Sequence, residues 1–236
     1  MRAFGIPALL SFNGGFVDTA GYLALQGLFT AHVTGNFVTL AAALALGTTG
    51  VITKLLALPV FCVVIITTRL AFTSLIPHQD TVLRTALSFK LILLLLGAGL
   101  AIAFGPFKNG DAWPAMLTGM TLVSAMAIQN AVHRIHLPTA PPTTLMTGTT
   151  TQIMIDIADS LRGLPPDKAE PTRTRIRAMT RSVVSFAAGA ASAAILYSTF
   201  QTWCFAVAPV VALLARLAAS PPAPTPPGVV DRAPDG

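Results

Sequence analysis

Long apolar stretches, broken by short polar or basic ones, make up most of this chain. A helix needs roughly 20 apolar residues to cross about 30 Å of hydrocarbon. Six segments meet or approach that length, at about 5–26, 52–76, 86–105, 113–132, 182–200 and 203–219. Two more carry a helical pattern but fall short: residues 34–47, ending at Gly47, and 147–161, ending before "RGLPPD". The pattern predicts an all-α polytopic membrane protein, with six transmembrane helices and two short discontinuous or re-entrant ones. Residues 1–219 form one membrane domain in this reading. Residues 220–236, with proline at 221, 222, 224, 226 and 227, form a disordered cytoplasmic tail.

Composition excludes the soluble alternative. Of 236 residues, 53% are hydrophobic and 10% charged, and the mean hydropathy is +0.71; an ordinary soluble domain carries about 25% charged residues. The lipid bilayer is therefore the first partner. The formal net charge of +6 does not point to nucleic acid. The basic residues flank apolar runs, where they orient a membrane protein, and no basic face is interleaved with aromatics. Cys62 and Cys204 lie in separate apolar runs and read as buried small hydrophobes, with no disulfide or metal site implied. Asn13, Gly14, Gly15 and Asp18 interrupt the opening run, which reads as a retained first helix rather than a signal peptide.

Charge then assigns sides. The loop "RGLPPDKAEPTRTRIRAMTR" holds Arg162, Lys168, Arg173, Arg175, Arg177 and Arg181, which places it in the cytoplasm. The turn near Arg84 and Lys90, the "HRIH" of 133–136 and Arg2 share that side, whereas "STFQTW" is uncharged and "KNGD" balanced. On this assignment the long segments alternate, both termini are cytoplasmic, and neither short helix crosses. The two enter from opposite faces.

The short segments also resemble each other. "AHVTGNFVTLAAAL" (31–44) aligns with "TLMTGTTTQIMIDI" (144–157), laying Thr34, Gly35 and Asn36 on Thr147, Gly148 and Thr149. Each follows a long helix with polar groups in its second half: Asp18 is 16 residues before Thr34, and Asn130 is 17 before Thr147. Motif, spacing and topology together predict two inverted repeats, at about 5–105 and 113–219.

Such ends carry chemistry. Thr34 or Thr147 can cap a first turn, Gly35 and Gly148 admit a close neighbour, and free amides at a helix start attract an anion or a carbonyl oxygen. The alternative is that the Thr-Gly pairs only allow close packing. Gly14, Asp18 and Gly21 share one helix face. Asp18 at membrane depth reads either as a proton-coupling carboxylate or as a brace for the facing short helix. His32 reads as a pH-sensitive gate or an interfacial histidine, Gln129 and Asn130 as pocket lining, and Arg69 as snorkelling to headgroups. Asp156 and Asp159 read as a solvated or arginine-paired face.

The stretch "GGFVDTAGYLALQGLFTAHVTGN" (14–36), with "MAIQNAV" and "TTLMTGT" further on, resembles the YoaK-type family of uncharacterised bacterial membrane proteins. The likeness runs over about 5–219. It implies an inner-membrane protein with about six spans and brings no catalytic residues with it. The short-helix arrangement is also similar in outline to the core of sulfate- and nucleobase-type transporters, a likeness of fold alone. This chain is about half their size and lacks a separate gate domain, a scaffold that a homodimer would supply.

The resulting expectation is a secondary transporter or facilitator of a small polar or anionic solute. Its site would comprise Gly14, Asp18, His32, Thr34, Gly35, Asn36, Gln129, Asn130, Thr147, Gly148 and Thr149. The alternatives are a non-transporting scaffold or sensor and, less well supported, an intramembrane enzyme built on "DIADSLRG". The enzyme reading lacks a second acid cluster, a His-Glu-x-x-His motif and a Ser/His/Asp constellation. No cofactor and no metal are expected.

Overall fold

The computed structural model describes residues 5–75 and 79–219, and among these the backbone is helical with no strand. In order come α1 (Ile6–Ala24), a 3-10 turn (Val33–Gly35) opening into α2 (Asn36–Leu46), α3 (Val51–Leu75) and α4 (Gln79–Phe104). Then follow α5 (Trp113–His136), α6 (Met146–Arg162), α7 (Pro166–Phe200), a 3-10 segment (Gln201–Ala206) and α8 (Val207–Ala218). The proline-rich tail at 220–236 lies outside the described residues.

Among the described residues, four runs are long and apolar enough to cross a membrane: Val51–Ala71, Thr81–Phe104, Trp113–His136, and Pro166–Ala218, which takes in both α7 and α8. Asn13 and Asp18 dilute α1, yet both are buried inside the bundle rather than turned outward. The 11 residues of α2 reach about 16 Å. That is half a bilayer core.

Cross-helix contacts give the directions. Ser11 meets Ser182, and Gly15 faces the Phe186 carbonyl, so α1 and α7 run together. Asn13 donates to the Ala208 carbonyl while Leu10 packs near Ala215, so α8 runs against α1. Lys90 meets Gln129 and Gly97 faces Leu122, so α4 opposes α5. Gln129 reaches back to Leu10 while Gly119 faces Leu25, so α5 opposes α1. The α1–α7 crossing is the tightest: a Cβ on Gly15 would strike the Phe186 carbonyl, and one on Gly189 the Phe12 carbonyl. Helices meeting backbone to backbone need glycine at both positions. Elsewhere α5 lies between α3 and α4, α8 packs on α4 and α1, and the short helices lie on the outside, α2 on α3 and α6 on α7. Phe16, Leu28, Leu94, Leu122, Met126 and Phe205 fill the centre.

Several boundaries correct the sequence reading. The basic stretch read as a loop is helix from Pro166 onward: proline suits the first helical position, and Asp167 sits in the first turn. At 35 residues, about 52 Å, α7 is far longer than a span and carries the arginines on its first turns. "HRIH" lies beyond the expected end of its span at 132 but belongs to the same helix, which runs on to His136. Lys90 is not at a turn; it is fully buried within α4. Cys204 is buried as expected, but Cys62 is exposed on α3.

Candidate solute site at the entrances to the short helices

After α1 the chain reverses at Gln26 and Gly27, both with positive φ (54° and 82°). The next residues cannot pair their amides in a helix, and Asp18 answers for them. Its Oδ1 accepts N–H bonds from Thr30 (2.8 Å), Ala31 (2.7 Å) and His32 (3.3 Å). Its Oδ2 lies 2.6 Å from His32 Nδ1. The bracing role of Asp18 is therefore met in the geometry, although the braced amides precede the short helix rather than open it. His32 is held on a third side by the edge-on ring of Phe186 at 5.5 Å. Asn36 completes the entrance: its side chain accepts from Phe29 N–H and donates to the Phe29 carbonyl, each at 2.8 Å.

The second entrance is held in the same manner. Asn130 Oδ1 accepts the Thr144 hydroxyl at 2.7 Å, while Gln129 Nε2 donates to Thr143 Oγ1 (3.1 Å) and the Leu10 carbonyl (2.9 Å). Gln129 Oε1 receives Lys90 Nζ at 2.5 Å. Gly14 brings α1 against this corner, since a Cβ there would stand 3.0 Å from the Thr143 carbonyl.

The remaining expected residues divide. Neither Thr34 nor Thr147 caps its helix: α2 and α6 have no side-chain cap, and both threonines are exposed. Thr149 bonds its own turn through the Leu145 carbonyl (3.0 Å). A Cβ on Gly35 would stand 3.0 Å from the Phe29 ring, whereas nothing lies within 4 Å of one on Gly148. Thr147 and Gly148 thus open onto the outer face of α6, away from the other candidates.

Where the entrances approach each other lies a cavity of about 460 Å³. His32 and Thr34 border it from the first entrance, Leu145 from the second, and Asn130 and Arg134 from α5. Phe61, Ile65 and Arg69 line it from α3. Arg69, expected to snorkel to headgroups, thus lines this cavity. Lys90 is the residue the sequence reading missed. Its signal was present, an ionisable group inside a run of leucines, which inside a membrane marks function or a specific partner.

Two acids outside the site serve the scaffold. Asp111 caps α3, accepting the amides of Gly50 (2.8 Å), Val51 (3.0 Å) and Thr53 (3.0 Å). Burial pushes its carboxyl up, but these bonds outweigh burial and hold it below the ordinary range. Asp156 takes a two-pronged bond from Arg175, both contacts at 2.7 Å, joining α6 to α7. The guanidinium, aided by Gln152, holds the Asp156 carboxyl below its ordinary value. Of the two expected forms of the Asp156–Asp159 face, Asp156 takes the arginine-paired one and Asp159 is exposed.

Apolar helices around a buried polar centre define a membrane-embedded helical protein. The chain belongs to the family described as "Protein of unknown function (DUF1275)", whose model matches residues 6–218, in keeping with the YoaK-type resemblance. No curated protein and no solved structure matches it.

Proposed function

We propose that the chain is a secondary transporter or facilitator of a small polar or anionic solute, not an enzyme, resident in the bacterial inner membrane with both termini cytoplasmic. One observation carries the reading: two short helices, both too outlying to hold up the bundle, have their entrances braced by core polar groups and bordering one cavity. A protein that only needed to pack would have little use for polar entrances at that depth.

An inverted repeat is part of the proposal and has support in the packing. Exchanging α1–α4 for α5–α8 turns α1-on-α7 into α5-on-α3, α4-on-α5 into α8-on-α1, and α2-on-α3 into α6-on-α7. α1 and α5 oppose each other, as inverted halves require. Asp18 reaches residues 12 to 14 further along, and Gln129 and Asn130 each reach 14 further along. The homodimer belongs to the same reading. α2 exposes Phe37, Val38, Leu44 and Leu46, a face for lipid or a second copy.

One observation favours a scaffold or sensor instead: Asp18, Asn36 and Gln129 spend their hydrogen bonds inside the protein. Thiol accessibility separates the two. With exposed Cys62 replaced by alanine, Thr34→Cys in liposomes should react with a membrane-impermeant reagent, and labelling should block uptake of radiolabelled small anions. A protected Thr34→Cys, together with no uptake of any anion in the panel, rejects the transport reading.

A further inference from the structure

A second cavity, of about 540 Å³, lies between the end of α5, the loop that follows it and the first half of α7. Residues 138–142 read Pro-Thr-Ala-Pro-Pro, and all five border it, with Pro171 opposite on α7. Proline has its φ fixed by the ring, so this wall needs little ordering to receive a ligand. Polar groups of three kinds stand against it. His133 is buried, and its Nδ1 has no hydrogen-bond partner. A buried nitrogen is seldom left so. Arg134 is exposed and has no acidic partner among the described residues. Arg175 gives Nε and Nη2 to Asp156, which leaves its Nη1. Thr139 and Thr174 add exposed hydroxyls. Among the described lining residues none is acidic.

These groups arrive from α5, the loop and α7, so they suit an acceptor whose oxygens point several ways. A phosphate is such a group, and guanidinium recognises it with charge-assisted bonds. A carboxylate, with two oxygens in one plane, would leave part of the set unmatched. His133 and Arg134 occupy the last turn of a membrane span, which puts the cavity at the level of lipid headgroups. We propose that this cavity binds a phosphate group between Arg134 and the free edge of Arg175. His133 and the two threonines complete its shell, and the prolines bound the body it carries. The phosphate belongs either to an anionic phospholipid or to a soluble phosphate ester. The site is independent of the transport reading and shares only Arg134 with the solute cavity.

The test uses the whole protein in dodecyl maltoside with radiolabelled glycerol 3-phosphate. Saturable binding is expected, displaced by inorganic phosphate but by neither glycerol nor acetate at the same ionic strength. Arg134→Gln and Thr174→Trp, the second filling this cavity alone, should each weaken it at least tenfold. Both positions are exposed, so the melting temperature should stay at the wild-type value. Arg177→Gln removes an exposed arginine of α7 that does not border the cavity, and should change the affinity less than twofold. An equal loss in Arg177→Gln would mean a diffuse basic surface. That result, or no binding, or equal displacement by acetate, or an affinity indifferent to Arg134→Gln, overturns the proposal. Phosphatidylglycerol in mixed micelles assigns the source. Displacement at a lower concentration than unlabelled glycerol 3-phosphate requires marks a lipid headgroup; a higher requirement, or no displacement, marks a soluble ester. Failure of anion uptake in liposomes overturns transport and leaves this site standing.

Discussion

Asp18 shows how one side chain settles a local fold. Three consecutive amides at Thr30, Ala31 and His32 converge on one carboxylate oxygen in a place where no helix hydrogen bond is open to them. Leaving a buried donor unpaired costs about 1–3 kcal/mol, so Asp18→Ala should destabilise the protein by about 3 kcal/mol or more, read as a lower melting temperature in detergent. Gly148 makes the contrast. Nothing lies near its missing Cβ, and alanine suits a helix better than glycine. Gly148→Ala should therefore leave the melting temperature level or slightly raised, within about 1 kcal/mol. A large loss at Gly148 would mean that a ligand or partner covers that face.

At the scale of elements, each short helix packs on one long neighbour, α2 on α3 and α6 on α7. α6 is tied to α7 by the Asp156–Arg175 pair, and the two carboxylate oxygens share three donors. The folded carboxyl titrates below its ordinary value of 3.8. The stabilisation is therefore complete above that value and is lost as the pH falls through the lower, folded one. Hydrogen exchange in α6 should speed up selectively in acid, while α5 stays protected. Asp156→Asn should give the fast exchange at neutral pH and remove the acid dependence. This attachment was half legible in sequence. Asp156 and Arg175 were each visible, but 19 residues separate them across a proline pair that read as a loop. Only a helix starting at Pro166 brings the guanidinium into line.

For the whole molecule, Lys90 and Gln129 form the polar centre joining three elements of the bundle. Gln129 serves Lys90, the Leu10 carbonyl and Thr143 at once. Gln129→Leu removes all three bonds and should cost about 3 kcal/mol. Lys90→Met orphans only Gln129 Oε1 while relieving an amine of burial, so the two effects should nearly cancel, within about 1 kcal/mol. The melting temperatures of the two variants should therefore separate widely. Uptake that falls in Lys90→Met at an unchanged melting temperature would place the amine on the solute path. Unfolding of that variant would refute this account of the centre.

The apolar runs alone determined that the chain is helical and lives in lipid, where each backbone donor must be met within its own helix. They also set the eight helical segments to within a few residues, apart from the early starts of α4 and α7 and the late end of α5. The Thr-Gly motifs fall at the starts of both short helices, yet neither threonine caps its helix, and Thr147 and Gly148 face outward. Tertiary structure decided what those polar groups do. Hydrophobicity records whether a side chain leaves water, not which partner it finds. Asp18 could have faced a solute or an amide, and Lys90 a headgroup or a glutamine; only the neighbours contributed by other helices chose between them. The cavity between the two entrances is of the same kind, assembled from α3, α5 and two loops far apart in the chain.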